Sequence, residues 1–147
     1  MAERYGLVWV WAGERPSGPV PAPPELTAVP VRARLGRPFV KGCHPHVVLV
    51  NAIDEQHFNS VHRLPVTLCM EPRPLSEACL EVRNTAPVNR RSWLGRWLAR
   101  LYEGPLTYDM TYSHGSVGTV TLGPDRLHLY LMFALRPTPD GRSANIR

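Results

Sequence analysis

The residues best equipped for chemistry stand in Asn51-Ala-Ile-Asp54-Glu-Gln-His57-Phe-Asn-Ser-Val-His62. This stretch sets one acid and two histidines at the spacing D-x-x-H-x(4)-H. Neutral imidazole is the commonest side-chain ligand of a catalytic metal. Two imidazoles and one carboxylate on one face of Fe(II) leave other positions open for O2. The same residues have plainer readings. His57 and His62 would be solvated on a surface helix, with Asp54 and Glu55 as a charged pair. A zinc hydrolase would instead need a general base beside the open position, and Glu55 is the nearby candidate, although no HExxH spacing is present.

Such a site depends on the element that carries it. The spacing predicts a helix over 46–62, with Val47, Val48, Leu49, Ile53, Phe58 and Val61 on an apolar face. Asp54 and His57, three apart, would lie one above the other on that helix. His57 and His62 are five apart, about 140° round an ideal helix. They meet at one metal only if the helix ends, tightens or bulges near His62, and Pro65 permits an early stop.

The flanking elements read mostly as strands. Residues 5–11 alternate and are rich in Val, Trp and Tyr, which predicts a strand with Trp9 and Trp11 as candidates for exposed apolar surface. Residues 15–30 are dense in proline and read as an extended connector. A short strand is expected at 31–36. Two more are expected at Thr67–Glu71 and Ala78–Asn84, joined around Pro72-Arg-Pro-Leu-Ser.

Ser92 is placed to cap a helix. Trp93, Leu94, Trp97, Leu98, Leu101 and Tyr102 share one face of it, Arg96 and Arg100 lie on the other, and Gly104-Pro105 stops it. That face is expected to pack on a sheet or cover a pocket in preference to resting on a membrane. The last third predicts an antiparallel meander: 107–112, Val117–Leu122, a turn at Gly123-Pro-Asp-Arg126, Leu127–Leu135, a turn at Pro137–Gly141, and the start of a strand at Arg142–Arg147. Helices on one side of an antiparallel sheet make the fold class α+β.

Composition bounds the function. The 147 residues suffice for one domain, and 44% apolar content is ordinary for a globular chain. The net charge of +5 comes from arginine, since Lys41 is the only lysine. The arginines are scattered and form no aromatic-and-basic motif, so neither nucleic acid nor membrane is an expected partner. Cys43, Cys69 and Cys79 make no disulfide framework, and no signal segment or membrane span is visible. A cytoplasmic location is expected.

The motif D-x-x-H-x(4)-H within LVNAIDEQHFNSVHRLP resembles the mononuclear iron motif of Rieske-type aromatic-ring-hydroxylating oxygenases, alpha (large) subunit. Glu3-Arg-Tyr-Gly-Leu-Val-Trp-Val-Trp-Ala-Gly-Glu14 resembles the last strand of their Rieske domain. The resemblance runs nearly the whole chain, although only the first motif is specific. It implies a truncated Rieske domain at 1–14, a connector at 15–30 and the first part of a catalytic domain at 31–147. It implies a helix-grip (START/Bet v1-like) shape with a curved antiparallel sheet, incomplete here.

By the same resemblance His57 and His62 ligate Fe(II), and Asp54 orients His57 and bridges electrons from a neighbouring subunit. Asn51, Tyr108, Met110, His128, Tyr130 and Met132 are candidate pocket residues. The implied substrate is a small apolar or aromatic molecule, hydroxylated or demethylated with O2. Electrons come from NAD(P)H through a reductase, with or without a ferredoxin, and the parent is a homotrimer. The alternative is a helix-grip module that binds an apolar ligand without catalysis.

The departures from the family are specific. A [2Fe-2S] Rieske cluster takes Cys-x-His and Cys-x-x-His, and Cys43-His44-Pro45-His46 spells only the second, with no cysteine before it. The third iron ligand is an acid, and Glu103, Asp109, Asp125 and Asp140 do not stand where the family would place it. That ligand is expected beyond Arg147, and the isolated chain is expected to be inactive.

Overall fold

The structure is a computed structural model that describes residues 1–63, 68–91, 93–102, 104–124, 127–141 and 144–146. It opens with a hairpin, β1 (Ala2–Arg4) and β2 (Leu7–Trp9). The expected strand at 5–11 is therefore interrupted. Tyr5 and Gly6 both take positive φ, 58° and 72°, which is the two-residue turn whose twist suits a hairpin. Trp9 donates its indole N–H to the Arg4 carbonyl and is half-buried, whereas Trp11 is exposed as expected, together with Val8 and Val10.

The second sheet is antiparallel throughout. Its strands are β3 (Phe39–Lys41), β4 (Glu71–Ser76), β5 (Cys79–Arg83), β6 (Thr85–Ala86), β7 (Leu106–Ser113), β8 (Val117–Pro124), β9 (Leu129–Pro137) and β10 (Ala144–Ile146). The order is β3-β10-β9-β8-β7-β5-β4, with β6 paired to β7. The meander expected in the last third is present as β7 to β10. With the helices, this makes a mixed α+β molecule, as expected.

Two expectations shift. Residues 31–36 form no strand. The stretch Pro72-Arg-Pro-Leu-Ser, expected as a connection, is itself β4. Pro72 and Pro74 are two apart, so the N–H groups they lack fall on one side, and β4 is an edge strand whose outer side has no ladder to feed. Thr67, Ser92, Asp125 and Arg126 lie outside the described residues.

Residues opposite one another in an antiparallel ladder share a face. Val82, Met110, Val120 and Leu131 form one row, and Tyr108, Leu122 and Leu129 another. This face carries the core, where Leu49 and Phe58 from the helices meet Tyr108, Met110 and Val120. Close approach depends on Gly118: a Cβ there would fall 2.6 Å from the Leu49 Cδ2 atom.

The opposite face is polar. Glu81, Thr111 and Thr119 line up with Met132, and Asp109 and Thr121 with Tyr130. The Thr111 and Thr119 hydroxyls are hydrogen-bonded to each other. The proline-rich connector lies over this face: its turn at Pro24–Leu26 brings Glu25 to the Thr121 hydroxyl. No described helix is long and apolar enough to cross a membrane.

Candidate metal centre

The helix expected over 46–62 is two helices. Helix α1 spans Pro45–Asn51 and α2 spans Glu55–His57, continuing into a π turn at Phe58–His62. Between them Ala52 and Ile53 bond back only three residues, to Leu49 and Val50. This tightens and ends α1, and the chain turns before α2 begins. The Ala52 carbonyl, released by the break, accepts the Tyr108 hydroxyl at 2.7 Å. Burial holds that phenol far above its ordinary titration range, so it stays a donor.

The π turn is the bulge that the D-x-x-H-x(4)-H spacing requires. Arg63 closes it with positive φ of 51°, and its N–H bonds to the Phe58 carbonyl five residues back. Widening the turn swings His62 round to the side of His57. The two rings sit 4.9 Å apart between centroids, at 73°. Phe58 anchors the pair: it is buried and stands edge-on to Tyr108 at 4.8 Å. His57 is half-buried and His62 exposed, so the rings remain reachable from solvent.

Asp54 sits elsewhere than expected. It is the N-cap of α2, with extended backbone, and its carboxylate accepts the Gln56 N–H at 2.9 Å. Its carboxylate is thus engaged with the backbone of its own helix, and no hydrogen bond to His57 is present. Glu55 also differs from a solvent-facing residue. It is half-buried, and its carboxylate accepts the Met70 N–H at 2.8 Å, tying α2 to the segment before β4. As a bound acceptor it is poorly placed to serve as a free base. Asn51 is exposed at the end of α1.

The candidate pocket residues divide between the two faces of the sheet. Tyr108 and Met110 are buried under the helices, whereas Tyr130 and Met132 face the connector side. Tyr130 and Met132 line a cavity of about 630 Å³ with Leu7, Leu26, Leu35 and Leu131. His128 joins them through its ring, 3.5 Å from the Tyr130 hydroxyl. The pocket residues thus do not converge beside the histidines.

Cys43-His44-Pro45-His46 has a local role. The His44 ring caps α1 by accepting the His46 N–H, Pro45 occupies the first helical turn, and the His46 ring rests edge-on to Tyr112. All three cysteines are free.

As a metal site, the π turn offers two neighbouring imidazoles in edge-to-face contact. No third His, Cys, Asp or Glu joins them among the described residues. Two imidazoles alone single out no particular metal, because imidazole suits zinc, copper, nickel and iron alike. The chain matches no model of a known protein family, no curated protein and no solved structure.

Proposed function

We propose that the chain is the catalytic portion of a Rieske-type oxygenase, with a helix-grip domain and a mononuclear Fe(II) held by His57 and His62. The observation that supports this most is the π turn at Phe58–His62, which brings histidines five residues apart to 4.9 Å. A solvated surface helix would gain nothing from a distorted turn, and such turns concentrate at functional sites.

In this reading both imidazoles ligate as neutral rings, and Phe58 holds the turn against the core. A carboxylate outside the described residues completes the ligand set. Bound iron supplies the open positions at which O2 reacts. Asp54 shapes the start of the ligand helix and presents its carboxylate at the surface, where a neighbouring subunit of a homotrimer would meet it. Electrons come from NAD(P)H through a reductase and a [2Fe-2S] cluster whose ligands this chain does not contain. The substrate is a small apolar or aromatic molecule.

Nitric oxide added to the Fe(II)-loaded chain tests whether iron there keeps an open position. A high-spin ferrous–nitrosyl resonance that disappears in His57→Ala and His62→Ala is expected. A resonance indifferent to both substitutions would remove the proposal's support.

One observation favours a second reading, an apolar-ligand module. The cavity beside β9 has a mostly apolar lining, joined by Arg32 and Arg34, and lies apart from His57 and His62. Tight binding of an apolar fluorophore, unchanged by His57→Ala, would support it.

A further inference from the structure

Helix α3, Trp93–Leu101, does not bury the face that its pattern marks as apolar. Trp93, Trp97 and Leu101 recur every four residues along one stripe, and they are 73%, 54% and 66% exposed. Leu94, Leu98, Ala99 and Tyr102 are half-buried, and Gly95 is covered. The covered side of α3 is therefore the inner arc, and both tryptophans stay outside.

Among the described residues the charge bordering this stripe is basic, while Glu103 follows in sequence two residues after the helix. Arg96 and Arg100 are exposed, one turn apart, and border the tryptophans directly. Arg90 and Arg91 are exposed just before the helix, and α3 itself contains no acid. The ion pairs among the described residues join Arg73 and Arg83 to Glu81, so none of these four arginines faces a described carboxylate. The Arg96 guanidinium donates to the Arg91 carbonyl, which holds the two ends of the basic patch together.

We propose that α3 is a docking helix for an anionic lipid surface. It would lie in the plane of the headgroups with Trp93, Trp97 and Leu101 dipped below them and the arginines on phosphate. A helix of nine residues is only about 14 Å long. As a lone convex ridge it presents far less than the roughly 800 Å² per partner of a stable protein interface. A second copy is disfavoured by charge, because a two-fold contact would set the arginines of one patch against those of the other. A headgroup layer suits both features: indole rings settle at the interface, and anionic lipid attracts the basic rim. Docking there would hold the rest of the chain at a membrane source of apolar molecules.

Co-sedimentation with phosphatidylcholine vesicles, with and without phosphatidylglycerol, tests the proposal. The chain is expected to bind the anionic vesicles about tenfold better than the neutral ones, and less well as salt is raised. Trp93→Ser with Trp97→Ser, and separately Arg96→Ser with Arg100→Ser, should each lower binding about tenfold. Both pairs are exposed, so circular dichroism should be unchanged, and Trp97→Phe should restore most of the loss. Absence of binding to anionic vesicles would overturn the proposal. So would binding that survives both double substitutions, or a dimer in solution that only the tryptophan pair dissolves.

Discussion

Asp54 starts a helix, and this decides how its substitutions should behave. Its carboxylate accepts one of the N–H groups that the first turn of α2 leaves unpaired. Asparagine caps as well as aspartate, so Asp54→Asn should change stability by less than about 0.5 kcal/mol, whereas Asp54→Ala should cost about 1 kcal/mol in urea unfolding. Equal losses in the two variants would mean that charge, and not the cap, carries the residue. Asp109 makes a different prediction. Burial raises its carboxyl above the ordinary value, opposed by the bond from the Asn84 N–H and by the charge of Arg83. The folded chain therefore holds that proton more tightly than the unfolded chain. The cost of ionising it grows as pH rises through the raised value and is fully present at neutral pH. Asp109→Asn should raise the melting temperature at pH 7, and the gain should vanish as pH falls below the ordinary carboxylate range. A gain that persists in acid would assign the effect to something other than this proton. At this scale the sequence named candidate side chains, but not their hydrogen bonds. A pairing such as Glu55 with the Met70 N–H depends on how the chain folds back, and no local spacing encodes it.

Elements were legible where periodicity was long and tertiary contacts agreed with it. The strands β7 and β9 follow directly from alternating apolar residues. The break at Ala52–Asp54 was not legible, because Ile53 continues the apolar face and only the caps betray the interruption. Nor was β4, whose prolines signal a connection until the open edge of the sheet is known. The π turn was legible only as one of several possibilities, since two histidines five apart share a metal only if the helix ends, tightens or bulges near His62. Its position depends on α1 seating against Gly118. Gly118→Ala would drive a methyl into Leu49 and towards Met110. It should cost about 1–3 kcal/mol, read from the chemical denaturation midpoint. An unchanged midpoint would mean that α1 is not held by this contact.

For the whole molecule, the class was legible and the layering was not. A mixture of helices with an antiparallel sheet follows from the order of elements. That the proline-rich connector covers the other face, through Glu25 and Thr121, does not, because a linker and a cover have the same composition. This layering separates Tyr130 and Met132 from Tyr108 and Met110 by the thickness of the sheet. The central claim concerns the two histidines that the core holds together through Phe58. Anaerobic Fe(II) titration of the chain tests it most directly, counting tightly bound iron in wild type and in the His57→Ala, His62→Ala variant. About one iron per chain, lost in the variant, is the predicted result. Iron bound equally by both proteins, or no specific binding by the wild type even when the chain is extended past Arg147, would contradict a shared metal at the π turn.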